Sequence, residues 1–150
     1  MTNVLFVCTG NSCRSVMAEA LFKRAVAGRE KGFKVSSAGV AAMDGYPSTL
    51  ETIRAMEREG IDVVPHKTRR LTRGMADNAD HIFVMEKVHR DMILRYWPEI
   101  EPKVRLLTDF SPDTHSRGTD VPDPIQQSDD FYREILNMID GCVKKIAGSV

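Results

Sequence analysis

The sequence predicts an α/β fold, a three-layer sandwich in which helices cover both faces of a four-stranded parallel sheet. Short, β-rich apolar runs alternate with longer segments whose apolar residues recur at helical spacing. The connections between the runs are long enough to contain a helix, as right-handed crossovers between parallel strands require. Neither a repeat nor a low-complexity linker interrupts this pattern, so residues 1–150 are expected to form one domain.

The first half of the chain predicts two strands, each followed by a helix. The strands are expected at residues 4–7 and 33–36, where β-branched and aromatic side chains form apolar runs. The helices are expected at residues 15–32 and 48–59, where apolar positions follow the helical period. Gly60 is expected to end the second helix.

The second half repeats the alternation and adds a long loop. Strands are expected at residues 82–85 and 104–107, and helices at 87–97 and 128–146. A polar stretch at residues 109–124 contains three prolines and one glycine, which predicts a loop.

Composition excludes several classes of protein. The chain is 42% hydrophobic and 28% charged, which is typical of a globular domain. Its 21 basic residues balance 21 acidic ones, so no strong field favours nucleic acid or an anionic membrane. We find no apolar run of membrane-spanning length and no secretory signal. Three cysteines are too few for a disulfide scaffold, which predicts a cytoplasmic protein. We also expect the protein to be a monomer.

The segment CTGNSCR, directly after the first strand, carries the strongest chemical signal. In a parallel sheet, ligands bind beyond the carboxyl ends of the strands. Cys8 ends the predicted strand, Gly10 permits a tight turn, and Arg14 opens the predicted helix. The intervening N–H groups can form an anion nest, whose positive field favours a nucleophilic thiolate. Arginine offers a planar fork for two phosphate oxygens, so the segment predicts phosphoryl transfer through a cysteine.

Two questions stay open at this level. A buried cysteine and a solvated arginine at this spacing can be structural, but the order of strand, nucleophile, glycine, arginine and helix favours catalysis. The predicted loop also offers four aspartates as a general acid, and composition alone does not choose among Asp109, Asp113, Asp120 and Asp123.

Several motifs together resemble those of the low-molecular-weight protein tyrosine phosphatases. They are VLFVCTGNSCRS near the start, SAG at residues 37–39, HKTRRLT at residues 66–72, and DP at residues 123–124. They occur at the spacings of that family, and the resemblance covers essentially the whole chain. It implies a four-stranded parallel sheet with helices on both faces, as predicted above.

The resemblance also implies a role for each motif residue. Cys8 would attack phosphorus and form a phosphocysteine, and Asp123 would protonate the leaving group and then activate water. Asn11 would fix the loop with support from His66. The phosphate-binding loop would comprise Thr9, Gly10, Asn11, Ser12, Cys13, Arg14 and Ser15, of which Ser15 would donate to the thiolate. Phosphate, sulfate or vanadate would bind there, and neither a metal nor an organic cofactor is required.

The sequence departs from the family pattern around the substrate pocket. Ser12 stands where phosphotyrosine-specific members carry an aliphatic residue and an arginine-specific branch carries threonine. Its hydroxyl favours phosphoarginine, although small polar residues are also common in tight loops. Two further features favour the same branch: Met43, with Tyr46 nearby, stands where the tyrosine branch usually has an aromatic wall, and Ile125 follows Asp-Pro where aromatics are frequent. The expected substrate is therefore a phosphoprotein that carries phosphotyrosine or phosphoarginine.

The remaining cysteines have separate interpretations. In the family, a neighbouring cysteine can trap the oxidised nucleophile as a disulfide, so Cys13 is a candidate redox partner of Cys8 or else a buried thiol. Cys142 is expected in the core. A zinc site is disfavoured, because no second ligand pair has suitable spacing.

Two rival functions share this fold. A three-cysteine arsenate reductase is disfavoured because no cysteine follows the third predicted strand, although a reductase that uses an external thiol stays possible. A silent phosphoprotein-binding module is disfavoured because Cys8, Arg14 and Asp123 are all present.

Overall fold

Four parallel strands form the centre of the molecule, in the spatial order β2-β1-β3-β4. The computed structural model describes all 150 residues. The strands are β1 (Thr2–Cys8), β2 (Phe33–Gly39), β3 (His81–Val84) and β4 (Val104–Leu106). All four predicted strands are confirmed. β1 is flanked by β2 and β3, so the chain crosses in opposite directions on either side of it, and the carboxyl end of β1 lies at a topological switch point.

Five helices and three short 3₁₀ segments complete the fold. The helices are α1 (Arg14–Ala25), α2 (Leu50–Arg58), α3 (Arg73–Asn78), α4 (Lys87–Tyr96) and α5 (Asp129–Ala147). The 3₁₀ segments are Glu30–Gly32, Pro98–Lys103 and Leu107–Phe110. No helix combines the length and the apolar character that crossing a lipid bilayer would require.

The sheet is covered on both faces because alternate side chains of a strand point to opposite sides. Val4 and Phe6 of β1 belong to the larger core, which includes side chains of α1, α2 and α5. Leu5 and Val7 belong to the smaller core, together with side chains of α3 and α4. Each fully buried large apolar side chain contributes about 1.5–3 kcal/mol of transfer free energy. The predicted three-layer architecture is therefore confirmed.

Two segments differ from the sequence prediction. α1 ends at Ala25 rather than near residue 32, because Gly28 adopts a left-handed conformation (φ 89°) and the chain turns. α3 was not predicted, since its six residues are too few to show a helical period. The Thr72 hydroxyl caps that helix by accepting from the Met75 N–H at 3.3 Å.

The last helix follows the prediction closely. Ser128 is its N-cap, and the Ser128 hydroxyl accepts a hydrogen bond from the Phe131 N–H at 3.2 Å. Cys142 is completely buried in the larger core, as expected. This helix packs against α1 and thereby supports the loop that precedes α1.

Candidate active site

The CTGNSCR segment forms a loop between the end of β1 and the start of α1. Cys8 is the last residue of β1, and Arg14 is the first residue of α1. The backbone N–H groups of residues 9–13 donate no hydrogen bond within the protein. A run of free N–H groups at a helix N-terminus is a site for an anion, since the helix dipole adds to their positive potential.

The Cys8 sulfur lies inside a chain of hydrogen bonds. Cys8 is 1% exposed, and its Sγ lies 3.0 Å from Ser15 Oγ. Asn11 Nδ2 donates to Ser15 Oγ at 2.8 Å. Because Ser15 Oγ accepts from Asn11, its own proton is free to point at the sulfur. This arrangement stabilises negative charge on Cys8.

Asn11 is the residue that fixes the shape of the loop. It has a left-handed backbone (φ 55°), whereas Gly10, expected from the sequence to permit the turn, has no positive φ. The Asn11 side chain donates to Ser37 Oγ at 3.0 Å and accepts from the Arg69 N–H at 2.9 Å. Three segments of the chain thus hold the left-handed residue in place.

His66 completes that support from the backbone side. Its Nε2 lies 2.9 Å from the Asn11 carbonyl oxygen, to which it can donate. Ser37 Oγ in turn donates to Glu19 Oε1 at 2.6 Å, so the network extends from β2 to α1. The structure therefore brings together Asn11, Ser15 and His66, which the sequence named as loop residues.

Gly39, the glycine of the SAG motif, lets β2 approach the loop closely. A Cβ atom at this position would lie 2.5 Å from the Thr9 carbonyl oxygen and 2.9 Å from the Asn11 nitrogen. Both neighbours are backbone atoms, which cannot move aside without moving the loop. Only glycine fits, which gives a physical reason for the SAG motif.

Arg14 is held in one orientation at the base of the loop. It is 1% exposed, and its Nη1 donates to Glu86 Oε2 at 2.7 Å and to the Val121 carbonyl oxygen at 2.8 Å. Burial alone would lower the pKa of Arg14, but the hydrogen bond and charge of Glu86 raise it above its usual value. Its Nε has no hydrogen-bond partner in the protein. One edge of the guanidinium is thus fixed, and buried donor capacity remains for an oxyanion.

Asp123 is the aspartate of the long loop that reaches Arg14. Its Oδ2 lies 3.9 Å from Arg14 Nη2, and its side chain is 45% exposed. Its Oδ1 accepts from the Ile125 N–H at 3.0 Å. Asp120 instead accepts from the Lys87 N–H, and Asp113 accepts from N–H and O–H groups within its own turn. The geometry favours Asp123 over these two as the residue that can exchange a proton at the site.

Cys13 lies on the buried side of the same loop. It is 3% exposed, and its Sγ lies 4.0 Å from Asp123 Oδ1. Burial, with the nearby charges of Cys8 and Asp123, raises the pKa of the Cys13 thiol to about 12. Cys8 and Cys13 form no disulfide. Cys13 is therefore protonated at neutral pH, and its expected redox role stays a prediction.

The predicted pocket residues have exposed side chains. Met43 is 68% exposed, Tyr46 55% and Ile125 45%. Thr68 secures the first two, because its hydroxyl donates to the Met43 carbonyl and its N–H donates to the Tyr46 carbonyl. The Ser12 hydroxyl, by contrast, makes no hydrogen bond within the protein. A Cβ atom added at Gly10 would lie 3.7 Å from the Ser12 Oγ.

Two site residues were missed by sequence reasoning, Glu86 and His89. Glu86 holds Arg14, and His89 Nε2 lies 2.8 Å from Thr9 Oγ1. Glu86 lies between β3 and α4, and His89 lies in the first turn of α4. Both therefore follow the carboxyl end of β3, which shares an edge of the sheet with that of β1. Two polar residues that follow a buried strand were the sequence signal that could have identified Glu86 and His89 as site residues. No group of three or more His, Cys, Asp or Glu side chains is arranged to hold a metal ion.

Comparison with known proteins relates the whole chain to one family of enzymes. The family model for low molecular weight phosphotyrosine protein phosphatase matches residues 3–150. The low molecular weight protein-tyrosine-phosphatase Ptp of Acinetobacter johnsonii is 36% identical over 141 residues, which cover 94% of this chain and 92% of that protein. A protein-arginine-phosphatase of Geobacillus stearothermophilus is 32% identical over 144 residues, which cover 96% and 93%.

A solved structure extends the likeness to the fold. A YwlE arginine phosphatase mutant with a phosphorylated active-site serine superimposes with a TM-score of 0.90 at 31% identity. The match covers 99% of this chain and 95% of that chain.

Proposed function

The chain belongs to the low molecular weight phosphotyrosine protein phosphatase family of cysteine-dependent phosphatases, and on that premise we propose that Cys8, Arg14 and Asp123 hydrolyse phosphotyrosine in proteins. The observation that carries this assignment is the loop itself. It holds the buried Cys8 in a segment whose backbone N–H groups are free. The same segment contains Arg14, whose Nε has no hydrogen-bond partner.

The first chemical step transfers the phosphoryl group to Cys8. The thiolate attacks phosphorus, a sulfur–phosphorus bond forms, and the bond from phosphorus to the tyrosine oxygen breaks. Asp123 donates its proton to that oxygen, so tyrosine leaves neutral. Ser15, which can donate to the sulfur, lowers the energy of the thiolate before the attack.

The second step releases phosphate and regenerates the enzyme. Asp123, now ionised, accepts a proton from a water molecule as the water oxygen attacks phosphorus. The sulfur–phosphorus bond breaks, and its electron pair returns to Cys8 as a thiolate. In both steps the loop N–H groups and Arg14 stabilise the charge on the equatorial phosphoryl oxygens.

Exposed apolar side chains support phosphotyrosine as the substrate. Tyr46 offers an exposed aromatic ring, and Met43 and Ile125 offer accessible apolar surface, which suits the faces of a phenyl ring. Thr68 fixes the main chain of the first two, so this surface is preformed. A preformed wall avoids the entropic cost of ordering a loop when substrate binds.

A second candidate substrate, phosphoarginine, is favoured by Ser12. Its hydroxyl has no partner in the protein and can accept from a guanidinium N–H group. A YwlE arginine phosphatase mutant has nearly the same fold as this chain, with a TM-score of 0.90. In this case the bond that breaks is between phosphorus and nitrogen, and Asp123 protonates the nitrogen.

Parallel initial rates on phosphotyrosine and phosphoarginine peptides of otherwise equal sequence test the proposal, with Cys8→Ser as the blank. We expect Cys8-dependent release of phosphate, faster from phosphotyrosine. Faster release from phosphoarginine would assign the chain to the arginine-specific branch. No Cys8-dependent release from either peptide would contradict catalysis and favour a binding role. Ser12→Ile is the companion variant, since it removes the hydroxyl and adds an apolar edge.

A further inference from the structure

His89 is a buried histidine with a defined tautomer. It lies in the first turn of α4 and is 1% exposed. Its Nδ1 accepts a hydrogen bond from the Glu86 N–H at 3.1 Å. A backbone N–H can only donate, so Nδ1 carries no proton. In a neutral imidazole the proton must then be on Nε2.

The proton on Nε2 has one partner within hydrogen-bond distance. Thr9 Oγ1 lies 2.8 Å from His89 Nε2, so the ring donates to the Thr9 hydroxyl. Glu86 Oε2 lies farther away, at 3.6 Å, and already accepts from Arg14. Burial and the charge of Arg14 lower the pKa of His89 to about 4, which keeps the ring neutral at physiological pH.

This bond determines what the Thr9 hydroxyl can do. Because Thr9 Oγ1 accepts from His89, its own proton must point elsewhere, and the hydroxyl makes no other hydrogen bond in the protein. Thr9 is exposed and directly follows Cys8 in the anion-binding loop. We infer that His89 is a positioning residue that turns the Thr9 hydroxyl into a hydrogen-bond donor for the phosphoryl group. The inference rests on the proposed phosphatase function.

A double-mutant cycle between Thr9 and His89 tests this inference. Thr9→Val removes the hydroxyl from an exposed side chain of nearly unchanged shape. His89→Asn keeps an acceptor near the position of Nδ1 for the Glu86 N–H but is too short to reach Thr9. We expect each single variant to lower kcat/KM by about tenfold, the size expected for one neutral hydrogen bond. The double variant should be no slower than either single variant, because both substitutions remove the same interaction.

Matched controls separate positioning from folding. Thr9→Ser keeps the hydroxyl, and His89→Gln places an amide donor near the position of Nε2, so both should recover most of the activity. His115→Gln replaces an exposed histidine outside the site and should leave kcat/KM unchanged. Vanadate affinity, measured on the same variants, should weaken in parallel with kcat/KM.

Two results would overturn the inference. One is a double variant whose loss is the product of the two single losses, since Thr9 and His89 would then act independently. The other is Thr9→Val with wild-type kcat/KM and vanadate affinity. Failure of the proposed phosphatase function is distinguishable, because it would abolish turnover in the wild type while the vanadate cycle still measures the coupling between Thr9 and His89.

Discussion

A single carboxylate determines how Arg14 meets a substrate. Glu86 and the Val121 carbonyl occupy Nη1, so the guanidinium cannot rotate and Nε stays directed away from them. A preorganised donor stabilises a developing oxyanion without reorganising at the moment of reaction. This is why Glu86, the N-cap residue of α4 and not part of the CTGNSCR motif, matters for the chemistry of the motif.

Asp123→Ala should distinguish a general acid from a merely electrostatic residue. We expect a loss of about 10²–10⁴-fold in kcat for an alkyl or unsubstituted phenyl phosphate, since its leaving oxygen needs a proton. An activated nitrophenyl ester, whose leaving group departs as an anion, should lose far less in the first step. Single-turnover rates on the two esters provide the measurement, and equal losses would refute the role. Asp113→Ala, in the same loop, is the matched control.

His89 also makes stability depend on pH. Its pKa is about 4 in the folded protein against an ordinary 6.5, so the unfolded chain binds more protons between these values. The contribution of neutral His89 to the free energy of unfolding is fully present above about pH 6.5. It is lost as the pH falls through about 4, and this loss amounts to about 3 kcal/mol. Urea unfolding of the wild type and His89→Gln across this range provides the measurement. The free energy of unfolding should fall less steeply with decreasing pH in the variant, and identical slopes would contradict this prediction.

At the scale of elements, the site depends on how closely β2 approaches the loop after β1. Gly39→Ala would place a Cβ 2.5 Å from the Thr9 carbonyl and 2.9 Å from the Ala42 Cβ. We expect about 1–3 kcal/mol of destabilisation, together with a loss of kcat of tenfold or more, because the loop must shift. Gly32→Ala is the control, since no atom lies within 4 Å of its Cβ position and its φ is not positive. Denaturation and initial rates on both variants provide the test, and a fully active Gly39→Ala would show that the contact is dispensable.

Other elements show which local structure a sequence can reveal. The Ser128 cap and the four strands were predictable, because capping chemistry and buried apolar runs are local signals. The end of α1 was not, since the stop at Gly28 depends on one left-handed glycine inside a segment of good helix formers. α3 has a capping threonine but only six residues, too short for a periodic pattern.

At the scale of the whole molecule, the sheet order brings separate segments to one end of the fold. Residues from the SAG and HKTRRLT motifs, the segment after β3 and the Asp-Pro loop all contact the CTGNSCR segment that follows β1. The motif residues were predictable because they resemble a known family. The partners Glu86 and His89 were not, because their contacts span 72 and 80 residues and depend on the fold.

The central claim, that the chain is a phosphatase with Cys8 as its nucleophile, is tested most directly by the Cys8→Ser variant. Initial rates of phosphate release and vanadate affinity are measured on the wild type and the variant. The account predicts that turnover is abolished while an oxyanion still binds, because the loop N–H groups and Arg14 are unchanged. Undiminished turnover in Cys8→Ser would contradict it.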